Sequence, residues 1–179
     1  MDRTLDDLEE QVKGGRDFDT PPLEKWHPPL SGDIPIVITR DGTWFHDGGQ
    51  IKRESLVRLF ASILRREEDG EYYLVTPVEK WRIKVEAHAL LVTDIDTSGE
   101  NGHARLVATL NTGRQVPIGP EHPLFLDPVM GDVAAIELPH GLTAVFTRAA
   151  WYRLVDMAEE VDGTPQVRSA GEVYALAPA

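Results

Sequence analysis

Residues 34–45 read Ile-Pro-Ile-Val-Ile-Thr-Arg-Asp-Gly-Thr-Trp-Phe. An apolar, β-branched run from Ile34 to Thr39 meets Asp41-Gly42 and resumes at Thr43-Trp44-Phe45. An Asp-Gly pair between two such runs is the strongest short-range signal for a β-hairpin. A second turn follows at Asp47-Gly48-Gly49. From Lys52 the period changes. Leu56, Leu59, Phe60, Ile63 and Leu64 recur at helical spacing as one apolar stripe, with Arg65-Arg66 in the last turn, where cations suit the helix dipole. Glu67 to Gly70 closes the helix, and Glu71 to Thr76 reads as a strand stopped by Pro77.

The same order recurs further on. Val133 to Leu138 and Leu142 to Phe146 read as strands around a Pro139-His140-Gly141 turn. Thr147 is placed to cap a helix carrying Trp151, Leu154, Val155 and Ala158. Gly171 to Pro178 then matches Gly70 to Pro77 at Gly, Glu, Tyr and Pro. The chain therefore reads as a duplicated β-hairpin–helix–strand unit. Between the copies, Arg82 to Val85, His88 to Ile95, Ala104 to Leu110 and Gln115 to Ile118 read as a β-meander, with a polar loop at Asp96 to Gly102. The expected fold class is α+β, mostly antiparallel sheet with few helices.

The expected organisation has four parts. Residues 1–20 form an acidic flexible tail, although Leu5, Leu8 and Val12 also have helical spacing. Residues 21–80 form a Pro-rich arm, with Leu23, Trp26 and Leu30 as anchors, followed by the first unit. Residues 81–128 form the central meander and residues 129–179 the second unit.

Composition narrows the function. The 179 residues include no Cys, which excludes disulfide frameworks, thiolate nucleophiles and Cys-ligated metals. The longest unbroken apolar run, Val173 to Ala177, is far too short for a membrane span. The opening Met1 to Asp7 lacks the basic-then-apolar pattern of a signal peptide, so the expected location is cytoplasmic. Thirty acids against 18 Lys and Arg give a net charge of −12, which disfavours nucleic acid and anionic lipid as partners. That acidity is local: residues 1–20, 94–100 and 155–163 carry nearly all of it, and the remaining 143 residues hold sixteen acids against fifteen bases. A small anionic ligand is therefore compatible with the body of the chain.

No motif announces catalysis. Neither G-x-x-x-x-G-K-[ST] nor G-x-G-x-x-G occurs, and Gly48-Gly49 reads as turn glycines rather than a phosphate cradle. No H-E-x-x-H occurs among the six histidines. Glu86 and His88 would share one strand face, but no third ligand accompanies them, so no metal and no cofactor is expected. No serine sits in a nucleophile elbow. The alternation of Trp81, Ile83 and Val85 with Arg82, Lys84 and Glu86 gives one apolar and one charged strand face.

Several stretches together resemble a bacterial domain-of-unknown-function family, number 1285. They are Pro21-Pro22-Leu23-Glu24-Lys25-Trp26 with Pro28-Pro29 and Ser31-Gly32-Asp33; Arg40-Asp41-Gly42-Thr43-Trp44-Phe45; Leu56 to Phe60; Leu64 to Glu67; and Tyr73 to Lys80 with Ile83 and Val85-Glu86. The resemblance spans about residues 21–160, and Asn111, Gly119 and His122-Pro123-Leu124 also fit. One departure stands out: after Glu86 the family tends to continue Asp and then Pro-Phe, whereas this chain has Ala87-His88-Ala89-Leu90. The resemblance implies an α+β fold built from a repeated motif, with signal transduction or ligand sensing suggested and no established activity.

The leading expectation is a non-catalytic cytoplasmic module that binds a small ligand or a protein partner in a regulatory role. Its site is placed near Arg40, Lys80, Arg82, Glu86, Asn111 and His122, in the cleft expected between the two copies of the unit. A hydrolase assembled from Glu86, His122 and a neighbouring Asp, and a homo-oligomerising protein joined through exposed strands, are the alternatives.

Overall fold

The structure, a computed structural model, describes residues 5–13, 21–99 and 104–178. The chain divides into two compact units, the first ending at Ala87 and the second starting at His88.

In the first unit, α1 (Leu5–Lys13) precedes β1 (Gly32–Ile38), β2 (Trp44–His46), β3 (Gly49–Gln50), α2 (Glu54–Ser62), β4 (Leu64–Arg66), β5 (Tyr72–Val75) and β6 (Lys80–Val85). The tail expectation gives way over α1: Leu8 and Val12 are buried, α1 packs on α2, and Glu9 pairs with Arg53. The remainder of residues 1–20 lies outside the described residues. In the Pro-rich arm Leu23 is buried and Trp26 half-buried, whereas Leu30 is exposed and anchors nothing.

The β1–β2 hairpin forms as the Asp41-Gly42 signal predicts. The Asp41 carboxylate accepts from the Thr39 hydroxyl and from the Thr43 N–H, and Gly42 takes φ +83°. The α2 stripe buries Leu56 and Phe60, and the Phe60 ring lies 6.5 Å from that of Trp44. The helix is shorter than its stripe suggests. Leu64–Arg66 is a strand paired with Tyr72 to Leu74, and that pairing takes over after the helix ends at Ser62.

The six strands lie in the order β3-β2-β1-β6-β5-β4. All neighbours are antiparallel except β1 and β6, which run parallel, so the sheet is mixed. The strand Lys80–Val85 thus belongs to this sheet, not to a separate central segment.

The second unit contains β7 (Leu90–Ser98), β8 (Arg105–Leu110), β9 (Gln115–Pro117), β10 (Leu124–Asp127), β11 (Val133–Glu137), β12 (Thr143–Phe146), α3 (Arg148–Met157), β13 (Glu159–Val161), β14 (Thr164–Ser169) and β15 (Glu172–Ala175). Its main sheet has the order β10-β11-β12-β7-β8-β9, with β7 and β12 parallel. Counted within each unit, both sheets read 3-2-1-6-5-4. Each is a pair of three-stranded meanders joined through its first and last strands.

The chain is therefore a duplication, as the sequence expects, but not in the register of the Gly70 and Gly171 match, whose members lie about 100 residues apart. Corresponding strands begin 58 to 66 residues apart. The two hairpin–helix–strand segments are both present but take different places: the first hairpin supplies strands one and two of its sheet, the second supplies strands five and six. Thr147 caps α3 by accepting from the Ala150 N–H at 3.3 Å. Val155, expected on the buried stripe of α3, is 40% exposed. The acidic stretch after α3 is an exposed strand, β13, in a small three-stranded sheet.

Candidate functional site

Pro35 sits within β1, a central strand, where proline cannot donate to a ladder. The parallel pairing shows the consequence: Asp33 faces Arg82 and Val37 faces Lys84, so four steps along β1 match two along β6. The surplus residues leave the β1–β6 ladder, while Ile36 and Val37 still pair with His46 and Phe45 on the other side. The Pro35 carbonyl accepts from the Asp47 N–H at 2.8 Å, which draws the Asp47-Gly48 turn over the gap. Asp47 and Gly48 adopt φ of +50° and +84° there.

A cavity of about 570 Å³ occupies this place. Pro35 and the half-exposed Val37 contribute apolar lining, whereas the Ile34, Ile36 and Ile83 side chains are buried. Its polar lining comes from Asp33, Asp47, Glu71, Arg82 and Lys84. Arg82 forks onto Asp33, with Nε 2.6 Å from Oδ1 and a terminal nitrogen 3.2 Å from Oδ2. That fork holds the Asp33 carboxyl below its ordinary range and raises the Arg82 guanidinium. The side chains of Asp47, Glu71 and Lys84 make no hydrogen bond or ion pair among the described residues.

Of the six expected site residues, Arg82 alone lines this cavity. Lys80 donates to Glu67 Oε1 at 2.9 Å and lies over the Tyr73 ring. The Arg40 backbone N–H donates to Glu86 Oε2 at 2.9 Å, so those two are brought together at the end of the β1–β6 ladder. Asn111 brackets Leu91: its Oδ1 accepts from the Leu91 N–H and its own N–H donates to the Leu91 carbonyl. His122 Nδ1 lies 3.2 Å from the Glu137 carbonyl oxygen. Glu86 and His122 thus each have a backbone partner.

The shared strand face for Glu86 and His88 does not form, because β6 ends at Val85 and β7 starts at Leu90. His88 is instead buried between Asp127 Oδ2 and Thr143 Oγ1, both at 2.6 Å. The other Asp127 oxygen accepts from Val129 N and caps the short 3-10 turn Pro128–Met130. This array joins the approach to β7, the end of β10 and the start of β12. Among the described residues no group of three or more Asp, Glu or His is arranged to hold a metal ion. No described helix is long and apolar enough to cross a membrane.

The cavity residues come from three separate stretches, 33–37, 47–48 and 82–84, together with Glu71. The single clue was Pro35 inside a β-branched run, which marks either an edge strand or a bulge.

Two family models divide the chain where the structure does. The N-terminal domain of the family described as a domain of unknown function, DUF1285, matches residues 21–88, and its C-terminal domain matches residues 89–176. The chain belongs to the DUF1285 family. A crystal structure of a DUF1285 family protein from Silicibacter pomeroyi DSS-3 is similar over 98% of this chain and 94% of that one, with 35% identity and a TM-score of 0.86. A DUF1285 family protein from Shewanella baltica OS155 is similar over 69% of this chain and 91% of that one, with 30% identity and a TM-score of 0.58. No curated protein matches. The DUF1285 N-terminal domain therefore contains the whole cavity, and the His88–Asp127–Thr143 array, apart from its first residue, lies in the C-terminal domain.

Proposed function

We propose that this DUF1285 protein is a non-catalytic regulatory module of the cytoplasm whose N-terminal unit binds a small molecule in the cavity between β1 and β6. One observation carries the reading: the sheet is interrupted at its centre, and the gap is bordered by Pro35 and the half-exposed Val37 within a ring of charged groups. Pockets that hold small ligands combine such an apolar lining with a few polar groups that fix orientation. A bulge in a central strand costs ladder hydrogen bonds, and bulges recur beside functional sites because they re-aim side chains or end pairing.

The test is a screen of small metabolites against the full chain by backbone amide NMR. Ligands that bind as proposed shift amides at residues 33–37, 47–48, 71 and 82–84. Val37→Phe, at a half-exposed lining position, fills the space and abolishes those shifts while leaving the fold intact. Shifts confined to other surfaces, or undiminished by Val37→Phe, count against the reading.

A further inference from the structure

We propose that α3 is a homodimerisation helix, packing antiparallel against α3 of a second copy across a two-fold axis centred on Tyr152. The proposal is independent of the cavity.

α3 buries Ala150 and Leu154 and packs on β7 and β12. At about 100° per residue, the face opposite those two centres on Tyr152. Arg148 and Asp156, then Ala149 and Val155, flank it in symmetric pairs, and all five residues are exposed. Tyr152 is 58% and Val155 40% exposed. No other Phe, Trp or Tyr among the described residues is exposed. Arg153, at the rim of this face, is held by Asp94 and Asp96. The side chains of Arg148 and Asp156 make no hydrogen bond or ion pair among the described residues.

The signs of those two charges point to the occupant. Arg148 opens the helix and Asp156 stands in its last turn. Each has the sign that the helix dipole disfavours at its own end. A two-fold axis through Tyr152 sets residues equidistant from it against each other. Arg148 then meets Asp156 of the second copy, and Val155 meets the small Ala149 of the second copy, each contact occurring twice. Every helix end thereby receives the charge it lacks, around a centre of two tyrosine rings. The exposed strand β13 is a poorer seam, because its Glu159 and Glu160 would face like charges across such an axis. A ten-residue helix covers less area than a tight dimer needs, so the expected dimer is weak and exchanging.

Sedimentation velocity on the full chain from about 10 µM to about 1 mM reads the association. The parent should pass from monomer towards dimer over that range. Arg148→Glu and Asp156→Arg should each weaken the dimer about tenfold, since each sets like charges across the axis. They move the net charge in opposite directions, which separates pairing from general repulsion between acidic copies. Both relieve an unfavourable helix-end charge, so circular dichroism should show α3 intact. The double reversal, Arg148→Glu with Asp156→Arg, should restore the parent's dimer, and Tyr152→Ser should abolish it. A chain that stays monomeric throughout overturns the proposal. So does a dimer that either single reversal or Tyr152→Ser leaves unchanged, or one that the double reversal fails to restore.

Discussion

His88 Nε2 stands 2.6 Å from Asp127 Oδ2, and the other oxygen of that carboxylate takes the Val129 N–H at 2.9 Å. Burial opposes ionisation of Asp127. The hydrogen bonds from His88, Val129 and Met130 outweigh it and hold the carboxyl below its usual 3.8. A carboxyl lowered in the folded state contributes stability that is complete above its unfolded value and lost as pH falls through the folded one. The acid limb of the stability curve, below about pH 4, should therefore carry an Asp127 component. Asp127→Asn places an amide against the imidazole and should cost about 1–3 kcal/mol at neutral pH. Urea melts of both proteins between pH 6 and pH 3 check this: the variant's slope should be the shallower.

A Cβ added at Gly119 would lie 3.0 Å from the Cβ of Ala170, which itself sits at φ +52°. Beside that contact, the Ser169 hydroxyl accepts from the Leu106 N–H and donates to the Ile118 carbonyl, pinning β14 to β8 and to the residue that follows β9. Gly119→Ala should destabilise by about 1–3 kcal/mol through overpacking. Adding Ala170→Gly should recover most of that loss, since it removes the clashing methyl and relieves a left-handed alanine. A thermal-melt double-mutant cycle reads the coupling; strict additivity would count against the contact.

Arg65 is a strap for the Pro-rich arm. One terminal nitrogen donates to the carbonyls of Leu23 and Trp26 at 2.8 and 2.9 Å, and the rest of the guanidinium forks onto Glu67. Lysine offers no such fork. Arg65→Lys should loosen residues 21–30 and leave the sheet in place, seen as faster proteolysis within that segment and altered Trp26 fluorescence. Arg65→Ala, which leaves Glu67 with Lys80 alone, should cost about 3 kcal/mol.

The Tyr73 hydroxyl donates to Asp69 at 2.5 Å, and that bond, with burial and the nearby acids, pushes its pKa up to about 12. A phenol raised in the folded state contributes stability that is complete below its unfolded value of 10 and lost as pH rises towards 12. Asp69→Asn should move this phenol towards the ordinary tyrosine range, which a phenolate absorbance titration detects. An unchanged titration curve would refute the role given to Asp69.

Local signals read well. The Asp41-Gly42 hairpin, the Leu56–Phe60 stripe and the Thr147 cap all depend on neighbours within a few residues, where spacing is informative. What the residues did not disclose depends on distant partners. Leu64 to Arg66 continues the spacing of α2, yet its pairing with Tyr72 to Leu74 decides the conformation. The parallel contact of β1 with β6 joins residues nearly fifty positions apart, and no periodicity marks it. The candidate site suffered most for the same reason. Arg82 was visible as part of a charged strand face, whereas Asp47 and Glu71 became relevant only once the interrupted ladder brought their turns to the gap.

The parallel seam also sets an order of events in synthesis. In each sheet the two central strands are the first and the last to be made. β1 leaves the ribosome long before β6 exists, and β7 likewise precedes β12. Until the sixth strand arrives, the first exposes an unpaired edge, and closing the seam brings together residues far apart in the chain. Such closures are slow compared with hairpin formation. Each unit is thus predisposed to fold in a single late step once its last strand has emerged, with two preformed meanders waiting for each other.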